Sequence, residues 1–371
     1  MYIINLSVKN IRIIKDLHLS DTNKVNFILG QNAQGKSSIL EAMYILATSK
    51  SNRTFKDKEF ININEDICEI KANIKREKRP DCEIETVIDK NHKKVFFIDN
   101  AKKTKIKDVI GELNCVIFSE EDIEMIKDEP QSRRNFMNLE ISQMFPLYTE
   151  EYANYKRTLL QRNNTLKDIK NNIRPSYDIL DILDLQLSIY GTKLLIRRKK
   201  FIEEIAPLSS EIYNIISDKV GDFSLKYSSN PNIEIKDEAS TQRALFEQIL
   251  AKRDMDLRLG TTNVGPHRDD LEIKINNLPV KNYGSQGEGK SAAFAIKMAE
   301  INIIKNITGE YPVVLLDDLM SELDYERREK TMKIAGENCQ IFITTTHLDK
   351  LDYNPENTSI YYIKEGSLLK E

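Results

Sequence analysis

Val25-Asn26-Phe27-Ile28-Leu29-Gly30-Gln31-Asn32-Ala33-Gln34-Gly35-Lys36-Ser37-Ser38 is the stretch whose reading decides the fold. Its first five residues are apolar at most positions and stop at a glycine, which reads as a buried strand. From Ser37 to Ala47 the chain is apolar on several sides at helical spacing, so the helix that follows belongs between two layers. Gly30 to Ser37 fits G-x-x-x-x-G-K-[ST], and a strand before it with a helix behind it is the context this pattern needs. The glycines let backbone N–H groups turn onto phosphate oxygens, and the helix adds its positive N-terminal end. Lys36 then reaches the β- and γ-phosphates of ATP and Ser37 ligates Mg²⁺. The candidate nucleotide contacts are Gly30, Gln31, Asn32, Ala33, Gln34, Gly35, Lys36, Ser37 and Ser38. A glycine-containing turn without a ligand is the plainer alternative, and the agreement of pattern with context weighs against it.

Far downstream, Val313-Val314-Leu315-Leu316-Asp317-Asp318 is a second apolar strand, ending in two carboxylates. An acid at the C-terminal edge of a sheet is where a phosphate site holds its cation. Asp317 therefore binds Mg²⁺ directly or through water, and Asp318 orients and partly deprotonates the attacking water. Alone, the pair equally describes a solvated turn; with the loop at Gly30 it completes a site.

Between these halves the pattern changes twice. Met1 to Leu19 reads as two strands, and residues 66 to 110 carry short β-like runs with Lys-rich turns, a small antiparallel sheet. From about Asp122 to Phe246 the period is helical, with Leu180, Leu183, Leu187, Tyr190 and Leu194 on one face and Phe201, Ile205, Leu208 and Ile212 resuming it. A companion helix carries Tyr148, Tyr152, Tyr155 and Leu159, and Arg174-Pro175-Ser176 breaks the two. After Gly260 strands return at Leu271 to Ile275, Val313 to Leu316 and Ile341 to Thr345. The expected organisation is an α/β head made of residues 1–121 and 255–371, split by a helical insertion, or lid, at 122–254. A length of 371 residues suits two packed units.

Composition narrows the class without naming a partner. Lys and Arg number 55 against 58 Asp and Glu, so any site for a polyanion is a local patch. The start of the chain lacks the pattern of a secretory signal, no stretch is long and apolar enough to span a bilayer, and no membrane is expected. The four cysteines, Cys68, Cys82, Cys115 and Cys339, have no C-x-x-C pairing and read as reduced thiols in cytoplasm. Lys90, Lys93, Lys94, Lys102, Lys103, Lys105 and Lys107 cross a hairpin, and of these Lys93, Lys94 and Lys103 are candidate DNA contacts. A solvated edge that blocks strand pairing is the alternative. Arg197-Arg198-Lys199-Lys200 is expected to be a solvated face.

Motif order identifies the P-loop family. Tyr283-Gly284-Ser285-Gln286-Gly287-Glu288-Gly289-Lys290 resembles the ABC signature, Leu316-Asp317-Asp318-Leu319-Met320-Ser321-Glu322-Leu323-Asp324 the D-loop that follows the acidic strand, and Thr344-Thr345-Thr346-His347 the switch-histidine segment. Longer runs resemble RecF proteins: Leu40-Glu41-Ala42-Met43-Tyr44, Ser51-Asn52-Arg53-Thr54, Val116-Ile117-Phe118-Ser119, Pro130-Gln131-Ser132-Arg133-Arg134-Asn135-Phe136, Leu160-Gln161-Arg162-Asn163 and Thr262 to Leu271. The resemblance implies an ABC/SMC-type ATPase head, a mixed sheet with a central helix and an antiparallel subdomain. It also implies a homodimer glued by ATP, in which Ser285, Gln286 and Gly287 of one subunit close on nucleotide held by the other, with Ser321 and Asp324 in the D-loop. His347 takes the γ-phosphate-sensing role, and Arg53 lies near that phosphate or in a surface salt bridge. DNA at gaps and single-strand/double-strand junctions, RecR and RecO, and indirectly RecA in repair and SOS induction are the implied partners. Hydrolysis is implied to be slow, because Asp318 is shorter than the glutamate of fast ABC enzymes.

Two positions depart from the pattern. Asn138 stands where an acid is usual, so Arg133 and Arg134 are candidates and Asn138 has no assigned role. Glu288-Gly289-Lys290 replaces a glutamine and a basic residue, which predicts a looser start to the signature helix. His267 reads better as a satisfied loop histidine than as a nucleotide contact. The rivals are a transporter's nucleotide-binding subunit, whose signature lies much nearer the P-loop, and an SMC-like scaffold, which needs a long coiled coil.

Overall fold

The computed structural model describes residues 1–54, 56–91, 94–119, 121–127, 129–173, 177–217, 221–318, 338–347 and 355–369. The chain begins with β1 (Tyr2–Ile11), β2 (Ile14–Leu19), β3 (Val25–Leu29), α1 (Lys36–Thr48), β4 (Ile67–Lys75), β5 (Cys82–Asp89), β6 (Lys94–Ile98), β7 (Ala101–Lys103) and β8 (Cys115–Phe118). Then come α2 (Glu121–Lys127), α3 (Pro130–Met144), α4 (Pro146–Lys170), α5 (Tyr177–Ile216), β9 (Phe223–Ser228), α6 (Glu238–Ala251), α7 (Arg253–Leu259), β10 (Asp270–Ile275), β11 (Leu278–Pro279) and α8 (Val280–Tyr283). The last elements are α9 (Gln286–Thr308), β12 (Val313–Leu316), β13 (Ile341–Thr345), β14 (Thr358–Lys364) and β15 (Ser367–Leu368). Met1–Glu124 with Lys290–Glu371 form one compact unit and Met125–Gly289 another.

In the first unit an antiparallel sheet of order β2-β1-β4-β5-β6-β7 and a second sheet of order β15-β14-β3-β13-β12-β8 share one core. The second sheet is parallel from β14 to β8. Its central strands are apolar on both faces, as strands covered on two sides must be. Helix α1 meets β1, β4 and β5 of one sheet and β8 and β13 of the other. That contact explains why it is apolar all round: every residue of α1 except Ser37 is buried. Each fully buried Ile or Leu there contributes about 1.5–3 kcal/mol, so the loop ahead of α1 is anchored on a rigid element. The helix stops at Ser49, left-handed at φ 60°, whose N–H donates to the Ile45 carbonyl.

The second unit is less purely helical than its sequence period implied. Strand β9 lies in the stretch expected to be helical throughout, and β10, expected in the head, pairs with β9 from Asp270↔Ser228 to Ile275↔Phe223. Leu271, Ile273 and Ile275 alternate inward over that register, and the partner strand is short and far off in sequence, which hides it from local periodicity.

Arg198 overturns the expectation of a solvated basic face. It is 1 % exposed, and its guanidinium donates to Asp269 Oδ2 at 2.8 Å, the Pro266 carbonyl at 2.6 Å, Asn138 Oδ1 at 2.9 Å and the Tyr148 hydroxyl at 3.1 Å. Arg162, fully buried, likewise bonds Asp184 at 2.6 Å, Asp256 at 2.7 Å and Thr262 at 2.8 Å. Residues on α3, α4 and α5 and in the 262–270 loop are thus joined by charge-assisted bonds rather than by apolar packing alone. We expect Arg198→Ala to cost about 3–5 kcal/mol, because Asp269 stays buried without its cation. Urea unfolding followed by circular dichroism measures this, and a loss under 1 kcal/mol, by the same reasoning about stranded charge, would reject the framework role.

Candidate nucleotide site

The loop leaving β3 turns with Ala33 at φ 63° and Gly35 at φ 101°, left-handed conformations that glycine takes freely and that cost alanine, with its Cβ, some strain. Lys36 is only 4 % exposed, and its ammonium donates to the carbonyl oxygens of Gly30 at 2.9 Å and Gln31 at 3.1 Å. The cation is therefore held beneath the loop before any phosphate arrives. Strand β13 lies between β3 and β12, so the loop and the two acids emerge at one sheet edge.

Thr344 of β13 ties that edge together. Its hydroxyl donates to Asp317 Oδ1 at 2.8 Å and accepts the Asp318 N–H at 2.8 Å. The Ser37 hydroxyl lies near enough to Asp317 to favour its charged form. Burial pushes the Asp317 carboxyl above its ordinary range; the Ser37 and Thr344 hydroxyls oppose that rise and the neighbouring Asp318 adds to it. Asp318 sits at φ 49°, a strained conformation for a residue with a Cβ, and lines the cleft. Ser37 and Asp317 are two neighbouring hard oxygen donors, the kind a divalent cation takes.

These groups face a cleft of about 500 Å³ whose lining includes Asn32, Lys36, Ser37, Arg53, Thr54 and Asp318. Arg12 and Ile13, from the β1–β2 turn, form another wall. Arg12 is fixed by a bidentate pair with buried Glu41 of α1, at 3.0 and 3.2 Å. Glu41 also accepts the Ser51 hydroxyl, and Ser51 Oγ accepts the N–H groups of Arg53 at 3.0 Å and Thr54 at 3.1 Å. That chain of bonds sets Arg53 at the cleft, where its charge acts on Asp317. Glu41 and Thr344 both lie in runs that resemble the family, but those runs assign neither a role; for Glu41, a carboxylate inside an otherwise apolar helix was the available signal.

His347 follows β13 and is exposed, with its N–H on Thr345 Oγ1 at 3.4 Å. Ser321, Asp324 and Lys93 lie outside the described residues. At the signature the expected looseness is absent. Ser285 Oγ accepts the Glu288 N–H at 3.2 Å and Glu288 Oε2 accepts the Ser285 N–H at 2.8 Å, a reciprocal capping box that starts α9. The glutamate that departs from the pattern is what tightens the helix. Ser285, Gln286 and Gly287 are exposed.

The other candidates fall in the framework. Arg133 makes a bidentate pair with Asp270 at 2.6 and 3.0 Å, and Arg134 donates to the Asp269 carbonyl at 2.7 Å. Asn138, buried, accepts from Tyr148 at 2.7 Å as well as from Arg198, so it fills a structural place. Lys94 donates to the Ser49 carbonyl at 2.8 Å, while Lys103 lies on β7 at the end of the antiparallel sheet. His267 Nδ1 meets the Tyr155 hydroxyl at 2.7 Å and Nε2 the Thr262 carbonyl at 3.1 Å, which fits the neutral ring with its proton on Nε2. Burial lowers its pKa to about 4. Below about pH 6.5 the unfolded chain takes up a proton that the folded one refuses, so His267 should erode stability as pH falls from there towards about 4, with no further loss below. Urea midpoints at several pH values, compared between parent and His267→Gln, check this; identical pH slopes would remove His267 as the source.

The fold and the cleft define an SMC-type P-loop head. A family model described as the RecF/RecN/SMC N-terminal domain matches residues 2–367, and the chain belongs to that family. Within it the chain is similar from end to end to the DNA replication and repair protein RecF: that of Clostridium botulinum (strain Okra / Type B1) is 36 % identical over 370 residues, 99 % of each chain. The RecF of Bacillus thuringiensis (strain Al Hakam) is 35 % identical over 354 residues, 95 % of this chain and 94 % of its own. A solved structure of the recombination mediator protein RecF with ATP, in the RecFOR pathway, superposes with a TM-score of 0.92 at 32 % identity, covering 100 % of this chain and 97 % of that one. An Smc head domain from Pyrococcus furiosus, bound to part of ScpA, has a TM-score of 0.53 at 16 % identity over 99 % of this chain and 95 % of its own, a likeness of fold. Among the described residues no helix is long and apolar enough to cross a membrane.

Proposed function

We propose that this protein is a cytoplasmic, ATP-dependent DNA-binding clamp acting in recombinational repair of gapped DNA, with RecR and RecO as partners and RecA loading and SOS induction as the downstream result. The observation that carries the reading is Thr344 bonded to Asp317 and Asp318, with Ser37 close to Asp317, beside the Lys36 loop, in a chain similar to RecF over 99 % of its length. Bound ATP would lie with its phosphates against the N–H groups of Gly30 to Ser38 and its terminal phosphates near Lys36. Ser37 and Asp317 would hold Mg²⁺, which supplies charge neutralisation of the phosphates when bound. Asp318 orients the attacking water and accepts its proton, and His347 senses the γ-phosphate. A carboxylate on so short a side chain reaches that water poorly, which supports slow turnover that resets the clamp. Two subunits would meet with Ser285, Gln286 and Gly287 of each against the nucleotide of the other, with Ser321 and Asp324 nearby. Lys103, with Lys93, is a candidate phosphate-backbone contact, whereas Lys94 is tied to Ser49.

The test is binding of duplex, gapped, tailed and single-stranded DNA, with and without ATP, at two salt concentrations. Gapped or junction DNA should bind tighter with ATP than without. The same DNA preference at equal affinity without nucleotide would end the clamp reading.

A further inference from the structure

The P-loop is not self-supporting: its far side is clasped by the hairpin of β14 and β15. The turn residues Glu365 and Gly366 both have positive φ, 50° and 74°, the geometry of a two-residue type I′ turn. The Gly366 N–H donates to the Gln34 carbonyl at 3.0 Å, and the Glu365 N–H donates to Gln34 Oε1 at 2.5 Å. Gln34 thus spends both its backbone and its side-chain acceptor on the hairpin. Two glycines, Gly30 and Gly366, are needed for this approach. A Cβ on Gly30 would stand 2.5 Å from the Ile363 carbonyl oxygen of β14. A Cβ on Gly366 would stand 2.5 Å from the Ile13 carbonyl oxygen, and one on Gly35 would stand 3.3 Å from Ile13 Cγ1. The β1–β2 turn is therefore pressed between the P-loop and the hairpin. Strand β14 is also bonded in parallel to β3, pairing Tyr362 with Leu29 immediately before the loop.

From this geometry we infer that Gln34 is a positioning residue of the nucleotide site and the Glu365–Gly366 turn its clasp, so that nucleotide affinity depends on a segment 331 residues away in sequence. This rests on the reading of Gly30 to Ser38 as an ATP site. Gln34 holds no phosphate with its side chain. Its side chain holds the Glu365 N–H and so sets the turn whose Gly366 N–H, on the Gln34 carbonyl, fixes the plane of the peptide before Gly35 and the direction of the N–H groups that phosphate oxygens meet. The strained turn persists because the hairpin is held on both sides; Glu365 is a residue that would otherwise avoid φ above zero.

The experiment measures direct binding of ATP and ADP to the full chain as parent, Gln34→Met, Gln34→Glu and Lys36→Ala. Gln34→Met keeps the length and removes the acceptor; Gln34→Glu keeps the acceptor and adds a charge. We expect Gln34→Met to lose about five-fold in affinity for both nucleotides, the worth of one hydrogen bond, with its urea midpoint close to the parent's. Hydrogen exchange at the Glu365 amide should rise in Gln34→Met and stay slow in Gln34→Glu, a rescue that a filler of space would not show. Parent-like affinity and exchange in Gln34→Met, while Lys36→Ala loses binding, would overturn the clasp and leave the ATP site standing. Parent-like binding by Lys36→Ala would instead overturn the site reading.

Discussion

Replacing Lys36 with alanine is expected to weaken ATP binding by about a hundred-fold or more, the consequence of deleting one desolvated charge from a phosphate cradle. Lys36 is 4 % exposed and its ammonium is already bonded to the Gly30 and Gln31 carbonyls, so the cation is held at the loop before phosphate arrives. The substitution leaves the carbonyls of half-buried Gly30 and exposed Gln31 to water, and α1 keeps its apolar contacts. Thermal unfolding without nucleotide should therefore stay near the parent's. Isothermal titration with ATP, on protein whose unfolding has been checked, reads the result. Affinity within a few-fold of the parent would mean that the cleft does not bind phosphate through Lys36.

The nucleotide half of the site was readable because its chemistry is carried by consecutive residues. Gly30 to Ser37 bring their own turn, and Val313 to Asp318 bring strand and acids together. What escaped notice depends on contacts across hundreds of positions. Thr344 looks like one of three threonines until β13 sets it between Asp317 and Asp318. Gln34 looks like a variable place in a motif until Glu365 is seen above it. Arg198 misled for a different reason: four consecutive basic residues on a helix point to different faces, and a 3.6 period turns one of them inward. Burying it was possible because Asp269, Asn138 and Tyr148 wait there, and none of those partners is local. The same holds for Arg162 and Thr262, whose runs resembled a family yet carry framework bonds. Strand β9 was missed for want of its distant partner β10.

Ser285→Arg should abolish ATP-driven dimerisation and hydrolysis together while leaving nucleotide binding nearly unchanged. The serine, with Gln286 and Gly287, is exposed at the start of α9, and a Cβ on Gly287 would meet nothing within 4 Å, so there is room for an arginine in the single chain. Losing Ser285 Oγ removes one half of the capping box, worth about 0.5–2 kcal/mol, while the Glu288 carboxylate still accepts the backbone N–H at 285. That cost is too small to unfold a domain of ordinary stability. In the proposed dimer the hydroxyl and the N-terminal end of α9 meet γ-phosphate oxygens of the other subunit, and a bulky side chain at that seam forces the two apart. Light scattering with a slowly hydrolysed ATP analogue reads dimerisation, and direct titration on the same preparation reads binding. Mixing supplies the stringent arm. A dimer of one Ser285→Arg chain and one Lys36→Ala chain can hold one intact composite site, with Lys36 from the first and Ser285 from the second, so weak hydrolysis should return only in the mixture. A Ser285→Arg protein that dimerises and turns over ATP like the parent would place the signature loop outside the reaction, because no geometry that puts Ser285 against a γ-phosphate accommodates arginine there.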